Sequence, residues 1–122
     1  MRARIERGRR LSAADYVLMS RERARLIREM DARLEEFDAL LMPTTAIAAP
    51  KISDVATPET FGHKNMMVLR NTALANFFDL CAISLPLPRQ AGLPVGLMLV
   101  ARNGHDHRLF RIAAAVEQLF AG

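Results

Sequence analysis

The chain has 122 residues, of which 51% are hydrophobic and 25% charged, and its formal net charge is +4. This size and composition fit one soluble domain with a buried core and exclude a disordered segment. No stretch approaches the roughly 18 uninterrupted apolar residues of a membrane span, and the basic N-terminus lacks the apolar run of a secretory signal. The single cysteine, Cys81, cannot form an intrachain disulfide, which favours a reducing, cytoplasmic location.

The charge is unevenly distributed. Residues 1–30 hold nine arginines against four acidic residues, whereas residues 31–122 hold eight basic residues against nine acidic ones. One interpretation is an arginine-rich arm that binds nucleic acid. We favour a solvated helix face with ion pairs, because acids alternate with the arginines, as in Glu22 and Arg25. A single-strand binder would also need several stacking rings, and only Tyr16 lies near the arginines.

The first predicted element is a long helix over about residues 13–37. Ser12 is a suitable N-cap, and Asp15 follows three residues later, as in a capping box. Apolar or small side chains then recur at intervals of three and four, which predicts one buried stripe. The stripe consists of Ala13, Val17, Ala24, Ile27, Met30, Leu34 and Phe37.

Short apolar runs separated by proline and glycine predict the later elements. In order, they are a strand at 39–42, a Pro- and Thr-rich loop at 43–63, a helix at 64–78, strands at 82–86 and 95–101, and a helix at 106–120. Together with the first helix they predict a single segment over 1–122 of the α/β class, with helices packed on a mixed β-sheet.

No complete catalytic or metal-binding set is visible in the sequence. His105 and His107 flank Asp106, but residues two apart on a helix point in different directions, so we expect no metal. We expect Cys81 to be a buried, inert thiol rather than a nucleophile. For Asp79, we favour a structural role, accepting hydrogen bonds in the turn after the second helix, over a catalytic one. No glycine-rich phosphate loop precedes a helix, and no cofactor is expected.

Three stretches, in their order and spacing, carry a family resemblance. They are Arg4 to Tyr16, Asp38 to Thr44 with Ala49-Pro50, and Arg70-Asn71-Thr72 through Asn76 and Cys81–Pro86 to Gly92–Leu97. The chain resembles the C-terminal part of the amidase-signature family of amidohydrolases, to which the glutamyl-tRNA amidotransferase A subunit belongs. The resemblance covers nearly the whole chain. It implies an α/β/α fold and hydrolysis of carboxamide C–N bonds to a carboxylate and ammonia or an amine.

Members of this family use a Ser-Ser-Lys triad, in which a neutral lysine is the base, one serine relays the proton and the other attacks the carbonyl. In the family, this triad lies upstream of the part matched here. The serines of this chain are Ser12, Ser20, Ser53 and Ser84, none next to glycine, and its lysines are Lys51 and Lys64. We therefore expect no catalytic residue in this chain, and no activity from these residues alone.

The resemblance also implies a contribution to the wall of the substrate cleft. Leu69 stands near the position at which the glutamyl-tRNA amidotransferase carries an acidic residue that holds the amino group of glutamine. We therefore expect an aryl or aliphatic amide as the small-molecule substrate of the intact enzyme rather than glutamine. The residues expected to line the pocket are Pro43, Thr44, Thr72, Asn76 and Phe77.

Two departures and two alternatives remain open. Asp79 and Cys81 stand where many family members have glycine and proline, and Met1 is either a true start or an internal methionine of a longer enzyme. The first alternative function is a catalytically inactive, truncated interaction module that forms a homo-oligomer through exposed apolar faces. The second is nucleic-acid binding through the arginine-rich first helix, which we favour less, and no membrane partner is expected.

Overall fold

A computed structural model describes residues 5, 6, 8–88 and 92–121 of the chain. The elements, in order, are α1 (Ala13–Arg33), β1 (Leu40–Pro43), a short 3-10 helix (Ile52–Val55), α2 (Pro58–Phe77), β2 (Cys81–Pro86), β3 (Gly96–Ala101) and α3 (Asp106–Ala121). Some features predicted from the sequence lie outside the described residues. They are Arg4 of the first family-like stretch, residues 89–91 of the turn before β3, and the two ends of the predicted 1–122 segment.

The three strands form one sheet in the order β1-β3-β2, so that β3 is the central strand. Met98 of β3 lies opposite Met42 of β1 and Ser84 of β2. The predicted α/β class is confirmed, but the predicted mixed sheet is wrong for the described strands, because both pairs are antiparallel. Between β2 and β3 the chain has only residues 87–95, whereas a parallel crossover needs a dozen residues or more.

The sheet is covered by one helix on each face. Met98 and Val100 of β3 pack with the buried Ala75 of α2, whereas Leu99 packs on the opposite side with Leu109 of α3. Leu99 and Val100 have no exposed surface, so β3 is buried on both faces, as its uninterrupted apolar sequence requires. The arrangement is therefore three layers, α/β/α, with the core on both sides of β3.

The first helix differs from the prediction in its length and in its burial. It ends at Arg33 rather than near 37, because Leu34 becomes the C-cap and is buried while the chain turns toward β1. The N-terminal half of the predicted stripe is exposed, including Val17, and so is Phe37 at its C-terminal end. Ile27 and Met30 are partly buried, and Leu34 is buried. The capping box of Ser12 and Asp15 is present as predicted, and the Ser12 hydroxyl holds the pKa of Asp15 below its ordinary value.

The second helix begins earlier than the sequence predicted. Its first residue is Pro58, so the predicted loop at 43–63 is too long and the predicted helix start near Lys64 is too late. Thr57 is the N-cap, and its hydroxyl accepts a hydrogen bond from the Thr60 backbone N–H at 3.3 Å. Proline suits the first helical position because it lacks an N–H that would be unpaired there. The helix ends at Phe77, and the three strands and α3 lie within one residue of their predicted bounds.

Within the described ranges, no helix has both the length and the apolar character that crossing a bilayer would require.

Candidate functional site

Polar side chains meet where β1 ends and β3 begins. The Thr44 hydroxyl lies 2.5 Å from the Ser84 hydroxyl, and the Thr44 backbone N–H donates to the Gly96 carbonyl at 2.8 Å. A side chain at Gly96 would collide with both hydroxyls, because its Cβ would lie 2.5 Å from Ser84 Oγ and 2.6 Å from Thr44 Oγ1. We call Pro43, Thr44, Ser84, Gly96 and Asn71 the sheet-end cluster.

Asn71 connects this cluster to α2. Its side-chain Nδ2 donates to the Pro43 carbonyl at 2.7 Å, across 28 positions of sequence. The backbone carbonyl of the last β1 residue is thus bonded to the helix layer, while the next residue, Thr44, is bonded to the sheet. The start of the loop at residues 44–57 is therefore held from two sides.

The predicted pocket residues on α2 lie further along the helix. The Thr72 hydroxyl donates to the Leu69 carbonyl of its own helix at 3.2 Å. The Asn76 carbonyl accepts a hydrogen bond from the Arg23 guanidinium of α1 at 3.3 Å, and that guanidinium also lies over the Phe77 ring, 5.9 Å from its centroid. The C-terminal end of α2 is therefore attached to α1 through one arginine.

A cavity of about 330 Å³ lies at this junction of α1 and α2. Its lining combines one cation, two aromatic rings, a thioether and a hydroxyl. The lining residues are Tyr16, Met19, Ser20, Arg23 and Phe77. Of the predicted pocket residues, only Phe77 takes part.

The structure thus divides the predicted pocket into two places. Pro43 and Thr44 belong to the sheet-end cluster, whereas Asn76 and Phe77 lie beside α1. Thr72 follows Asn71 directly on α2. Sequence reasoning did not single out Asn71, Ser84, Gly96 or Arg23 as site residues. For Gly96 a signal exists, because a glycine at the start of an apolar strand often marks a close approach of another segment.

The outer face of α2 carries an apolar stripe. Met66 and Phe77 are 68% and 44% exposed, and Leu69 is also exposed, on the side of the helix opposite the buried Ala75. With 3.6 residues per turn, positions 66, 69, 73 and 77 line one face. The stripe thus gives α2 exposed apolar side chains on the face opposite its contact with the sheet.

A second apolar surface lies on the sheet next to the cluster. It is an open groove of about 420 Å³ without a charged lining residue. The groove is lined by Leu41, Met42, Pro43, Leu87, Val95, Gly96 and Leu97. It therefore shares Pro43 and Gly96 with the sheet-end cluster.

No serine–lysine catalytic pair forms among the described residues. All four serines are described, and the hydroxyl of each has a partner that is not a lysine. Ser84 pairs with Thr44, and Ser20 donates to the Tyr16 carbonyl at 2.8 Å. The described residues therefore show neither the base nor the relay that an activated serine would need.

Cys81 lies at the start of β2 with its thiol directed at backbone carbonyls. Its Sγ donates to the Arg102 carbonyl at 3.2 Å and to the Ala101 carbonyl at 3.5 Å. Burial raises the pKa of the Cys81 thiol, and the Asp106 carboxylate raises it further. Because the thiolate is the nucleophilic form, this environment supports the predicted inert thiol, which is partly rather than fully buried.

Asp79 occupies a left-handed backbone position, with φ of 60°. The Leu80 N–H donates to the Ala75 carbonyl at 3.0 Å and the Asp79 N–H to the Asn76 carbonyl at 3.4 Å, which is the Schellman pattern at a helix end. The side chain of Asp79 accepts from the Asn103 amide at 3.1 Å, rather than from the turn backbone as the sequence predicted. Glycine would adopt this conformation without the steric cost of a Cβ.

His105 and His107 lie at the start of α3, and the His105 carbonyl accepts from the Leu109 N–H at 2.9 Å. Across the described part of the chain, no group of three or more His, Cys, Asp or Glu side chains comes together where it could hold a metal ion.

The fold and these clusters define a layered α/β segment whose described residues form no serine–lysine pair. Comparison with known proteins agrees with this class. The sequence profile described as Amidase matches residues 1–110. The chain belongs to the amidase family.

Individual relatives extend the match over most of the chain. The 2-amino-5-chloromuconic acid deaminase of Comamonas testosteroni is 36% identical over 123 residues, covering 98% of this chain and 26% of the deaminase. A fatty acid amide hydrolase of Medicago truncatula is 34% identical, over 88% of this chain and 18% of the hydrolase. The crystal structure of the A subunit of the glutamyl-tRNA(Gln) amidotransferase from Thermotoga maritima superposes with a TM-score of 0.69 at 35% identity, covering 96% of this chain and 26% of that one.

The chain therefore spans only about a quarter of the length of these relatives, or less.

Proposed function

We propose that these residues are the C-terminal portion of an amidase that hydrolyses carboxamide C–N bonds through a Ser-Ser-Lys triad outside this chain. The observation that carries the proposal is the combination of a family match over residues 1–110 with serine hydroxyls that all have partners other than lysine. In such an enzyme a neutral lysine accepts the proton, one serine relays it and the second serine attacks the carbonyl carbon. This chain contributes scaffold and part of the cleft wall.

The proposed wall has two parts, one beside Asn71 in the C-terminal half of α2 and the other on α2 itself toward its C-terminal end. One is the start of the 44–57 loop with Pro43 and Thr44, and the other is the outer face of α2 with Thr72, Asn76 and Phe77. The exposed apolar side chains of α2 support a substrate whose acyl part is aryl or aliphatic, because burying apolar surface stabilises by about 25 cal/mol per Å². Leu69 lies on this face as an exposed apolar residue, which gives the amino group of glutamine no partner at that position.

The substrate is proposed at the level of its class. The names of the relatives describe a deaminase, a fatty acid amide hydrolase and part of an amidotransferase, so C–N bond chemistry is common to them while the acyl groups differ.

The direct test begins with the coding sequence upstream of Met1. We expect the same reading frame to encode a Gly- and Ser-rich signature and a catalytic lysine. Protein expressed from that whole frame should release ammonia from aryl and aliphatic amides faster than from glutamine. A frame without such a signature contradicts the proposed enzyme, and a preference for glutamine contradicts the proposed substrate class.

A second candidate function is a homo-oligomer formed through the exposed apolar side chains of α1. Tyr16 and Leu18 are each 68% exposed, and Val17 and Met19 are also exposed. Four exposed apolar side chains in one helical turn favour association. Light scattering of the purified chain should give a mass above 13.6 kDa. The double variant Tyr16→Arg/Leu18→Glu should lower that mass, and a monomeric native chain at high concentration would contradict this function.

Nucleic-acid binding through α1 has less support. Arg25 forms ion pairs with Glu22 and Glu29, and its hydrogen bonds lower the pKa of Glu22. A paired arginine is less available to phosphate. Binding to a nucleic-acid duplex, if present, should weaken steeply as the salt concentration rises, because phosphate contacts release counterions. Absence of binding at low salt removes this candidate.

A further inference from the structure

We propose that Asn71 is a positioning residue that fixes the start of the 44–57 loop against α2. Its meaning for catalysis rests on the proposed function, in which the loop and α2 are two parts of one cleft wall. Asn71 is not among the residues expected to contact substrate. It acts through the backbone of Pro43, whose carbonyl accepts its side-chain hydrogen bond at 2.7 Å.

The geometry assigns the two ends of the Asn71 amide to different partners. Arg70 Nε donates to Asn71 Oδ1 at 3.3 Å, which leaves Nδ2 directed at the Pro43 carbonyl. The reversed amide would place its oxygen against the Pro43 oxygen and its NH₂ against the guanidinium, and both contacts are repulsive. The partly buried Asn71 therefore has one favourable orientation.

The Asn71 bond holds the chain at Pro43, where the chain leaves the sheet. It is the last residue of β1, it lies opposite Leu97 of β3, and as a proline it has no N–H to donate. The next residue, Thr44, is bonded to the Gly96 carbonyl and to the Ser84 hydroxyl. The chain thus leaves the sheet between a bond to the helix layer and bonds to the sheet layer.

The consequence is a fixed spacing between the loop and α2. Thr44 is hydrogen-bonded to the sheet. Among the hydrogen bonds of this cluster, only the Asn71 bond connects the start of the loop to α2. Further along the loop, the 3-10 helix (Ile52–Val55) also contacts α2. Without the Asn71 bond the start of the loop should therefore open relative to α2 while the sheet stays intact. Asn71 thereby sets the width of the proposed cleft.

Asn71→Asp is the sharpest variant, because the new side chain has the same shape and, when ionised, cannot donate. The measurement is hydrogen–deuterium exchange of the complete 122-residue chain, comparing residues 44–57 with β3. At neutral pH we expect exchange in 44–57 to rise about fivefold, the effect of one net hydrogen bond, while β3 is unchanged. Two opposing neighbours set the pKa of the new carboxyl: the facing Pro43 carbonyl disfavours the charged form, and the Arg70 guanidinium, which donates to Asn71 Oδ1 at 3.3 Å in the native chain, favours it. The neutral acid can donate again, so the excess exchange should disappear as the pH falls through that pKa.

Asn71→Ala is the control that separates this bond from packing. It should raise exchange in 44–57 at every pH, without recovery in acid. If a variant fails to fold, Arg70→Ala tests the proposal instead, because it removes only the exposed group that orients the Asn71 amide. It should raise exchange in residues 44–57 by a smaller factor. The proposal is overturned if Asn71→Asp exchanges like the native chain at neutral pH, if it tracks Asn71→Ala at all pH values, or if β3 loosens equally. These outcomes do not depend on amidase activity, so failure of the proposed function would leave them unchanged.

Discussion

Two parts of the structure differ in how much of their apolar surface is buried within the chain. The unit of β2, β3 and α3 buries its apolar residues against itself, and Leu99 at its centre has no exposed surface. By contrast, α1 has a correct N-terminal cap and a periodic apolar pattern but no buried residue. Local sequence signals are thus enough to make a helix, whereas burial depends on a partner. The chain matches about a quarter of the length of its relatives, and in the proposed enzyme the remaining polypeptide would be the partner that covers α1.

The largest expected effect comes from replacing leucine by alanine once in each of these two parts, in β3 and in α1. Leu99→Ala removes a fully buried side chain from the central strand and should lower the free energy of unfolding by about 3–4 kcal/mol. Leu18→Ala changes a side chain that is 68% exposed and should change it by less than about 0.5 kcal/mol. Urea unfolding followed by circular dichroism measures both. Similar losses in the two variants would show that α1 is buried in solution.

The close approach at the sheet-end cluster should give the next largest effect. Gly96→Ala places a Cβ within 2.6 Å of the Thr44 and Ser84 hydroxyls and should lower the free energy of unfolding by about 1–3 kcal/mol. Gly62→Ala is the matched control, because nothing lies within 4 Å of its added Cβ inside α2, and it should stabilise by about 0.5–1 kcal/mol. Thermal unfolding of the pair gives the comparison. If Gly96→Ala leaves the free energy of unfolding unchanged, the cluster is looser than its distances indicate.

Backbone conformation alone should distinguish two variants at the end of α2. Asp79→Ala and Asp79→Gly both lose the hydrogen bond to Asn103, but only alanine keeps the cost of a left-handed φ of 60°. The glycine variant should therefore be more stable than the alanine variant by about 1 kcal/mol. Chemical denaturation of the two proteins side by side measures this difference. Equal stabilities would argue against the Schellman geometry.

The smallest expected effect concerns the chemistry of Cys81 and its dependence on pH. Since burial raises the pKa of this thiol, its alkylation by iodoacetamide should reach half its maximal rate at a higher pH than that of an ordinary cysteine. A raised folded-state pKa contributes stability below the unfolded pKa, and that contribution is lost as the pH rises through the folded value. Cys81→Ser should therefore flatten the fall in stability at alkaline pH. Rapid alkylation at neutral pH would contradict the inert-thiol assignment.

Elements with local signals could be predicted from the sequence. The capping box at Ser12 predicted the start of α1, and the apolar run at 95–101 predicted the buried central strand. The predicted start of α2 was wrong because Pro58 follows other prolines and was assigned with them to a loop. The overlooked signal was the Thr-Pro pair, which suits the N-cap and first helical positions. The antiparallel pairing of β2 with β3 could have been predicted from the short connection at residues 87–95, which leaves no room for a parallel crossover. The pairing of β1 with β3 could not, since short apolar runs carry no information on strand direction.

The site was less predictable than the fold because it depends on long-range pairs. Asn71 and Pro43 are 28 positions apart, and Thr44 and Ser84 are 40 apart, so no spacing rule links them. Sequence resemblance named Pro43, Thr44, Thr72, Asn76 and Phe77 as one group. The tertiary structure places Pro43 and Thr44 in the sheet-end cluster and Asn76 and Phe77 beside α1, and their role as a pocket stays a prediction.

The most direct test of a triad outside this chain is the release of ammonia from simple aryl and aliphatic amides by the purified 122-residue protein. We predict the rate of buffer alone, for the native chain and for Ser84→Ala, because the proposed nucleophile, relay and base lie outside these residues. Hydrolysis above that rate, abolished by Ser84→Ala in a variant whose circular dichroism is unchanged, would contradict this conclusion.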